Sequence, residues 1–327
     1  MAKQNTVEQN ELGKIRIGIS SCLLGQPVRY DGGHKRDRFL TDVFSRFVEY
    51  VPVCPEVECG LPVPRESMRL IGDPEQPRLV APKSGVDHSR RMREWAARRV
   101  EELAAENLCG FVFKSNSPSS GLFRVKVYNQ SGMAAKVGVG LFARAVVERF
   151  PDLPVEEEGR LHDAGLRENF IERVFAFSRW RDLVLGVSRP APALVEFHAR
   201  HKLSLMAHRV SAVSALGRLV AQAGERPFGE LAQVYVKQFM EALGKVPTPA
   251  RHTNAMMHAL GYFKLDLSAD EKREALELIE QYRHGHLPLI VPLTLLHHYA
   301  RKYRVEYLLR QHYLRPGPPE LHLRNHA

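Results

Sequence analysis

The sequence predicts an α/β N-terminal domain, built on a Rossmann-like parallel sheet, followed by an all-α C-terminal domain. Two observations carry this. Between residues 14 and 182, short apolar runs alternate with longer segments of 3.6-residue period, the pattern of a parallel sheet with helices on both faces. After VSRPAPAL, 187–194, the strand signal disappears and helical periodicity alone remains. With 327 residues, 44% hydrophobic and 26% charged, the chain is long enough for two cores of about 150 residues each. The expected division is a disordered N-terminus at 1–13, the α/β domain at 14–186, a linker at 187–193 and the helical domain at 194–327.

Ile15 to Ser20 reads as the first strand, and a helical stretch follows near 36–47. Glu49 to Val53 is a second short strand. Residues 89–107 place Met92, Trp95, Ala96, Val100, Leu103 and Ala104 near a helical period. Gly110 to Lys114 is the third strand, 138–150 a helix, Leu153 to Glu157 the fourth strand, and 163–180 a helix. Helices are expected at 194–222, 228–243, 250–263, 268–283 and 292–312; Ser268 and Glu271 form a capping-box pattern, and Gly285 sits just past that helix's end.

In a parallel α/β sheet the loops after the strands share the carboxyl edge, where such folds bind ligands. Here those loops carry Cys22, the stretch Cys54-Pro55-Glu56-Val57-Glu58-Cys59, the serine-rich KSNSPSSG (114–121) and Glu156-Glu157-Glu158. A single cysteine beside a strand is most often a small buried hydrophobe, and serines in a loop often only cap the next segment. Convergence of several such loops at one edge argues for a site. The spacing matches neither a zinc CxxC pair nor a ferredoxin run.

The totals narrow the class further. The formal charge of +10, from 47 basic and 37 acidic side chains, is compatible with nucleic acid or anionic metabolites and specifies neither. No apolar stretch approaches the ~18 residues of a membrane span, and the polar N-terminus lacks the apolar core of a signal peptide. A cytoplasmic protein is therefore expected, in which the four cysteines stay reduced.

Three segments, SSCLLGQPVRYDGG, VCPEVECGLPVPRE and FKSNSPSSGLFRVKVY, resemble in this order the bacterial thiouracil desulfurase family over roughly residues 14–160. The resemblance implies a 4Fe–4S cluster held by three cysteines, in an S-x-C-L-L-G segment, a C-P-E segment and an S-P-S-C-G loop. The first two match Cys22 and Cys54; the third position is Ser120. It further implies that an iron left open by the protein takes the sulfur of a thiocarbonyl such as that of 2-thiouracil. Water then attacks the carbon with the help of a carboxylate, matched by Glu56, and a serine, matched by Ser117. Cys59, in the same loop as Cys54, is the expected substitute for the missing thiol. Cys109 precedes the third strand, about 17 Å from the loop that follows it, and is expected to be structural.

The helical half holds twelve of the fifteen histidines. His198, His201, Leu205 and His208 share one helical face, read as a packing face with hydrogen-bonded imidazoles in preference to a metal site. FHARHKLSLMAH, RHTNAMMHALGYFK and PLIVPLTLLHHYARKY resemble the YbgA-type domain, which adds little about function. Two further readings stand beside the desulfurase. One is a cluster-free, non-catalytic protein whose helical domain binds a partner or nucleic acid. The other is a nucleotide or anion pocket using Arg29, Arg65 and Ser117.

Overall fold

The computed structural model describes residues 15–186, 188 and 190–325. The expected disordered segment 1–13 lies outside the described residues, as do positions 187 and 189 of the expected linker. The chain forms two compact units that divide between His162 and Asp163.

In the first unit, β1 (Ile15–Ser20), β2 (Val48–Val53), β5 (Gly110–Phe113) and β8 (Val155–Glu157) form an all-parallel sheet in the order β2-β1-β5-β8. Ile17, Ile19, Phe111, Val112 and Phe113 are wholly buried, as strands covered on both faces must be. The order reverses direction between β1 and β5. The crevice outside their carboxyl ends is where an open α/β sheet takes its ligands.

A second, mixed sheet was not expected from the sequence. It joins β3 (Arg69–Ile71), β4 (Arg78–Val80), β6 (Val125–Tyr128) and β7 (Ala134–Gly138) in the order β4-β3-β6-β7. Among the described residues of this unit, the α-helices are α1 (Pro55–Glu58), α2 (Ser89–Ala105) and α3 (Leu141–Arg149). The helix expected at 36–47 is instead an irregular pair of turns, Phe39–Val43 and Phe44–Arg46.

The second unit is helical: α4 (Ala164–Gly186), α5 (Pro190–His208), α6 (Val210–Ala221), α7 (Phe228–Leu243), α8 (Pro249–Gly261), α9 (Ala269–Arg283), α10 (Ile290–Lys302) and α11 (Glu306–Leu309). The sequence had placed α4 with the sheet; its contacts put it with α5 and α7. Pro190 and Pro192 open α5 instead of forming a linker, since a proline in the first turn forfeits no intrahelical bond. The helix expected at 194–222 breaks at Arg209, whose backbone is extended. That at 292–312 breaks where Arg304 adopts positive φ. The capping box at Ser268 and Glu271 forms in full. No helix among the described residues is long and apolar enough to cross a membrane.

One buried ionic cluster ties the C-terminal segment to α4. Glu168 and Glu172 lie one turn apart and so on one face. Arg324 donates its backbone N–H and Nη1 to Glu168, each at 2.6 Å, and Nη2 to Glu172 at 2.9 Å. His208 Nε2 lies 3.3 Å from Glu172. Burial works against the Glu172 carboxylate, yet Arg324 and His208 hold its pKa well below the usual carboxylate range. Removing one partner leaves buried charge uncompensated. Arg324→Ala is therefore expected to destabilise the helical unit by roughly 3–5 kcal/mol, and Arg324→Lys by less. Urea unfolding followed by circular dichroism checks this; an Arg324→Ala midpoint equal to wild type would contradict it.

Candidate active site at the carboxyl edge

A cavity of about 390 Å³ opens at the carboxyl edge of the parallel sheet, and Cys22, Arg29, Cys54, Glu56, Arg65, Ser117 and Ser120 all line it. Each arrives there for a local reason. Cys22 sits on the 3-10 turn Ser21–Leu24 that follows β1, closed by Gly25 at positive φ. Cys54 is the N-cap of α1. Pro55 takes the first helical position, where its fixed φ starts the turn, so that Glu56 follows on the next residue. The Cys54 N–H donates to Glu58 Oε1 at 2.7 Å, satisfying a donor outside the helix.

The serine loop 114–121 is fastened along its whole length. At its start the Ser115 N–H and Oγ donate to Glu158 at 2.6 and 2.8 Å, and Lys114 Nζ pairs with the same carboxylate. Just past its end, the N–H groups of Leu122 and Phe123 donate to Glu157 Oε1 at 2.7 and 3.0 Å. Between these points the Ser119 carbonyl accepts from the Phe142 and Ala143 N–H groups at 2.9 and 3.2 Å, so the loop caps α3. The packing is close enough to need glycine at two points. A Cβ at Gly121 would lie 2.7 Å from the Ser117 carbonyl oxygen, and one at Gly140 2.5 Å from that of Ser119.

Held in this way, the loop turns its hydroxyls to Glu56. Ser119 Oγ makes a short hydrogen bond to Glu56 Oε1, and Ser117 Oγ approaches the same oxygen at 3.4 Å. The two hydroxyls are 2.9 Å apart. Ser117 Oγ also accepts the N–H groups of Ser119 and Ser120 at 3.3 and 3.1 Å. It therefore both caps the loop and faces the cavity. On the other side of Glu56, the Cys54 thiol donates to Oε2 at 3.6 Å and Arg65 Nη2 stands 3.9 Å away.

Arg65 is nearly buried and gives its donors to the Val28 and Pro62 carbonyls at 3.0 and 3.3 Å, so it serves as the countercharge of Glu56. Arg29 also lines the cavity, with Nε 3.5 Å from Asp31. Cys59 is not among the lining residues; its thiol donates to the Glu56 carbonyl at 3.3 Å. Cys109 is buried at the amino end of β5, its N–H on the Arg16 carbonyl at 2.8 Å. The sequence places Ser119, Glu157 and Glu158 in loops at this edge without assigning any of them a role. Glu157 and Glu158 stood where a fourth strand ends, a signal that was present without its meaning.

The flagged histidines of the helical half find ordinary partners. His198 meets Tyr235 Oη at 3.1 Å, His201 the Phe197 carbonyl at 2.7 Å and His208 the Lys245 carbonyl at 2.7 Å. Among the described residues, no three His, Cys, Asp or Glu side chains stand together as a metal-binding set.

Residues 17–158 match the sequence model of the 2-thiouracil desulfurase family, and residues 202–318 that of a protein family of unknown function, DUF1722. The chain is 31% identical over 134 residues to the uncharacterized protein YbgA of Escherichia coli strain K12, a stretch covering 41% of this chain and 79% of YbgA. Among solved structures it is similar to the 4Fe–4S-dependent thiouracil desulfidase TudS, at 30% identity and a TM-score of 0.37, covering 46% of this chain and 94% of that one.

Burial, and after it the nearby Glu56 charge, pushes the Cys22 thiol up to about 11 and the Cys54 thiol up to about 12. Only the thiolate is nucleophilic, so in metal-free protein at pH 8 both should react with iodoacetamide more than about 100-fold slower than free cysteine. The sign follows from the raised pKa: each rate should climb about tenfold per pH unit up to the thiol's own pKa. Mass-spectrometric labelling between pH 7 and 10 checks this, and a rate already at its plateau by pH 9 would contradict it.

Proposed function

The chain belongs to the family of Escherichia coli YbgA and matches the 2-thiouracil desulfurase family over residues 17–158, and we propose that its cavity removes sulfur from the thiocarbonyl of a thiolated pyrimidine base or nucleoside. The observation that carries this reading is that Cys22, Cys54, Glu56, Ser117 and Ser120 line one cavity at the switch point of the sheet. Its volume of about 390 Å³ suits a ligand of that size.

The family resemblance implies a 4Fe–4S cluster, and the residues present offer it two thiols and one hydroxyl. Cys22 and Cys54 are free, buried and on the same cavity as Ser120, which occupies the third family position. Cys59 is directed at a backbone carbonyl instead. Cys22, Cys54 and Ser120 would hold the cluster, and more weakly than three thiolates would, since a hydroxyl is the harder donor and must first lose a proton. When bound, the cluster supplies a soft iron on which the substrate's sulfur can rest.

The remaining chemistry belongs to the side chains. Water adds to the thiocarbonyl carbon, a C–O bond replaces the C–S bond, and the sulfur leaves as sulfide; no oxidant or reductant is consumed. Glu56 takes the proton of the attacking water, with Arg65 balancing its charge at 3.9 Å. Ser117 lines the cavity, and Ser119, wholly buried, holds Glu56 by a hydrogen bond to Oε1.

Anaerobic reconstitution with iron and sulfide tests the reading. Ser120→Cys is expected to raise iron content and the broad absorbance near ~400 nm above wild type, and to slow bleaching in air. Cys54→Ser is expected to lose both. The competing reading, a cluster-free domain with no catalysis, is favoured by the same Ser120. It prevails if neither wild type nor Ser120→Cys takes up iron.

A further inference from the structure

A second cavity, of about 470 Å³, lies within the helical unit between one face of α10 and the C-terminal segment. Among the described residues its ionisable lining is wholly basic: His297, Arg315, His322 and Arg324, with no carboxylate. The rest is largely apolar, with Leu293, Leu314 and Leu323 among its walls. A concave, mostly apolar space with a few convergent polar groups is the usual form of a small-ligand site.

The basic groups are not equivalent. Arg324, nine-tenths or more buried, commits both terminal nitrogens to Glu168 and Glu172, yet its Nε–H has no hydrogen-bond partner among the described residues. Arg315 is exposed and makes no hydrogen bond or ion pair among the described residues. His297 is half-buried on α10. Its imidazolium is disfavoured by burial first and then by the charges of Arg315 and Arg301, which places the Arg315 charge near the ring. An anion in the cavity would satisfy Arg315, make protonation of His297 favourable and meet no opposing carboxylate in the lining.

We propose that this cavity binds a phosphate monoester of nucleotide size, with Arg315 and His297 on the phosphate and Leu293, Leu314 and Leu323 against its planar body. Arg fits a phosphate through paired N–H donors, and charge-assisted bonds of this kind are the strong ones. The site is independent of the desulfurase reading, because its residues all lie in the helical unit.

The test titrates the full chain with uridine 5′-monophosphate, uridine or inorganic phosphate. Binding is followed by calorimetry and by the His297 imidazole signals in NMR, assigned with His297→Gln. Uridine 5′-monophosphate should bind and move those signals, with uridine and phosphate each weaker by about tenfold or more. Arg315→Glu should weaken binding at His297 by about tenfold or more, while Arg218→Glu, an exposed residue of the same unit, changes it less than about twofold. Three results would overturn the proposal: unmoved His297 signals at millimolar nucleotide, an Arg315→Glu variant that binds as wild type does, or phosphate binding as tightly as the nucleotide.

Discussion

Two adjacent glutamates, the last residue of β8 and the one after it, fix where the serine loop lies, and the candidate site follows from that. Glu158 holds the loop where it leaves β5, and Glu157 holds the chain where the loop has ended. A loop of eight residues with four serines has little apolar surface of its own to bury. Its order has to come from satisfied polar groups, and buried carboxylates accepting several N–H groups are among the strongest available. Because β5 and β8 are neighbours in register, Phe113 opposite Glu157, the parallel sheet delivers these carboxylates to the correct place. The cap on α3 and the hydroxyls on Glu56 depend on that placement.

The same geometry sets the chemistry of the site. Glu56 receives a thiol from one side and hydroxyls from the other, with Arg65 behind it. In metal-free protein its charge adds to burial and keeps Cys22 and Cys54 protonated. A bound metal inverts this, because a coordinating thiol gives up its proton outright. Were the proposed metal centre to assemble here, the coordinating thiols would release their protons, and Glu56, in contact with the Cys54 thiol, is placed to receive one. Ser120, the proposed third ligand, falls within this network through its backbone, its N–H donating to Ser117 Oγ.

Much of this was legible in the sequence. The four parallel strands were marked by apolar runs, and the loops after them carried Cys22, Cys54, Glu56, Ser117 and Ser120, which share a cavity. What stayed hidden depends on distant partners. Strands of three to five residues, such as Arg69–Ile71 and Arg78–Val80, are too short for a periodic signal and exist through their pairing. Val125 and Val127 alternate with exposed Lys126, a period-two trace that was present and too brief to decide. Arg324 meets Glu168 across 156 positions, so no local pattern announces that cluster. Nor does proline or glycine mark the break at Arg209, where neighbouring His208 instead bonds the Lys245 carbonyl. The role of Ser119 over Ser117 as the closest partner of Glu56 rests on loop geometry that residue types alone do not specify.

If sulfur leaves the substrate by hydrolysis at the carboxyl-edge cavity, as proposed, water supplies the oxygen of the product, and that oxygen can be traced. Anaerobically reconstituted protein is incubated with 2-thiouracil in water enriched in oxygen-18, and uracil and sulfide are quantified together. Uracil carrying one heavy oxygen and sulfide in equal amount are expected, both absent when Glu56→Gln replaces wild type. Uracil without the heavy oxygen, or formed equally by Glu56→Gln, would contradict hydrolysis at this cavity.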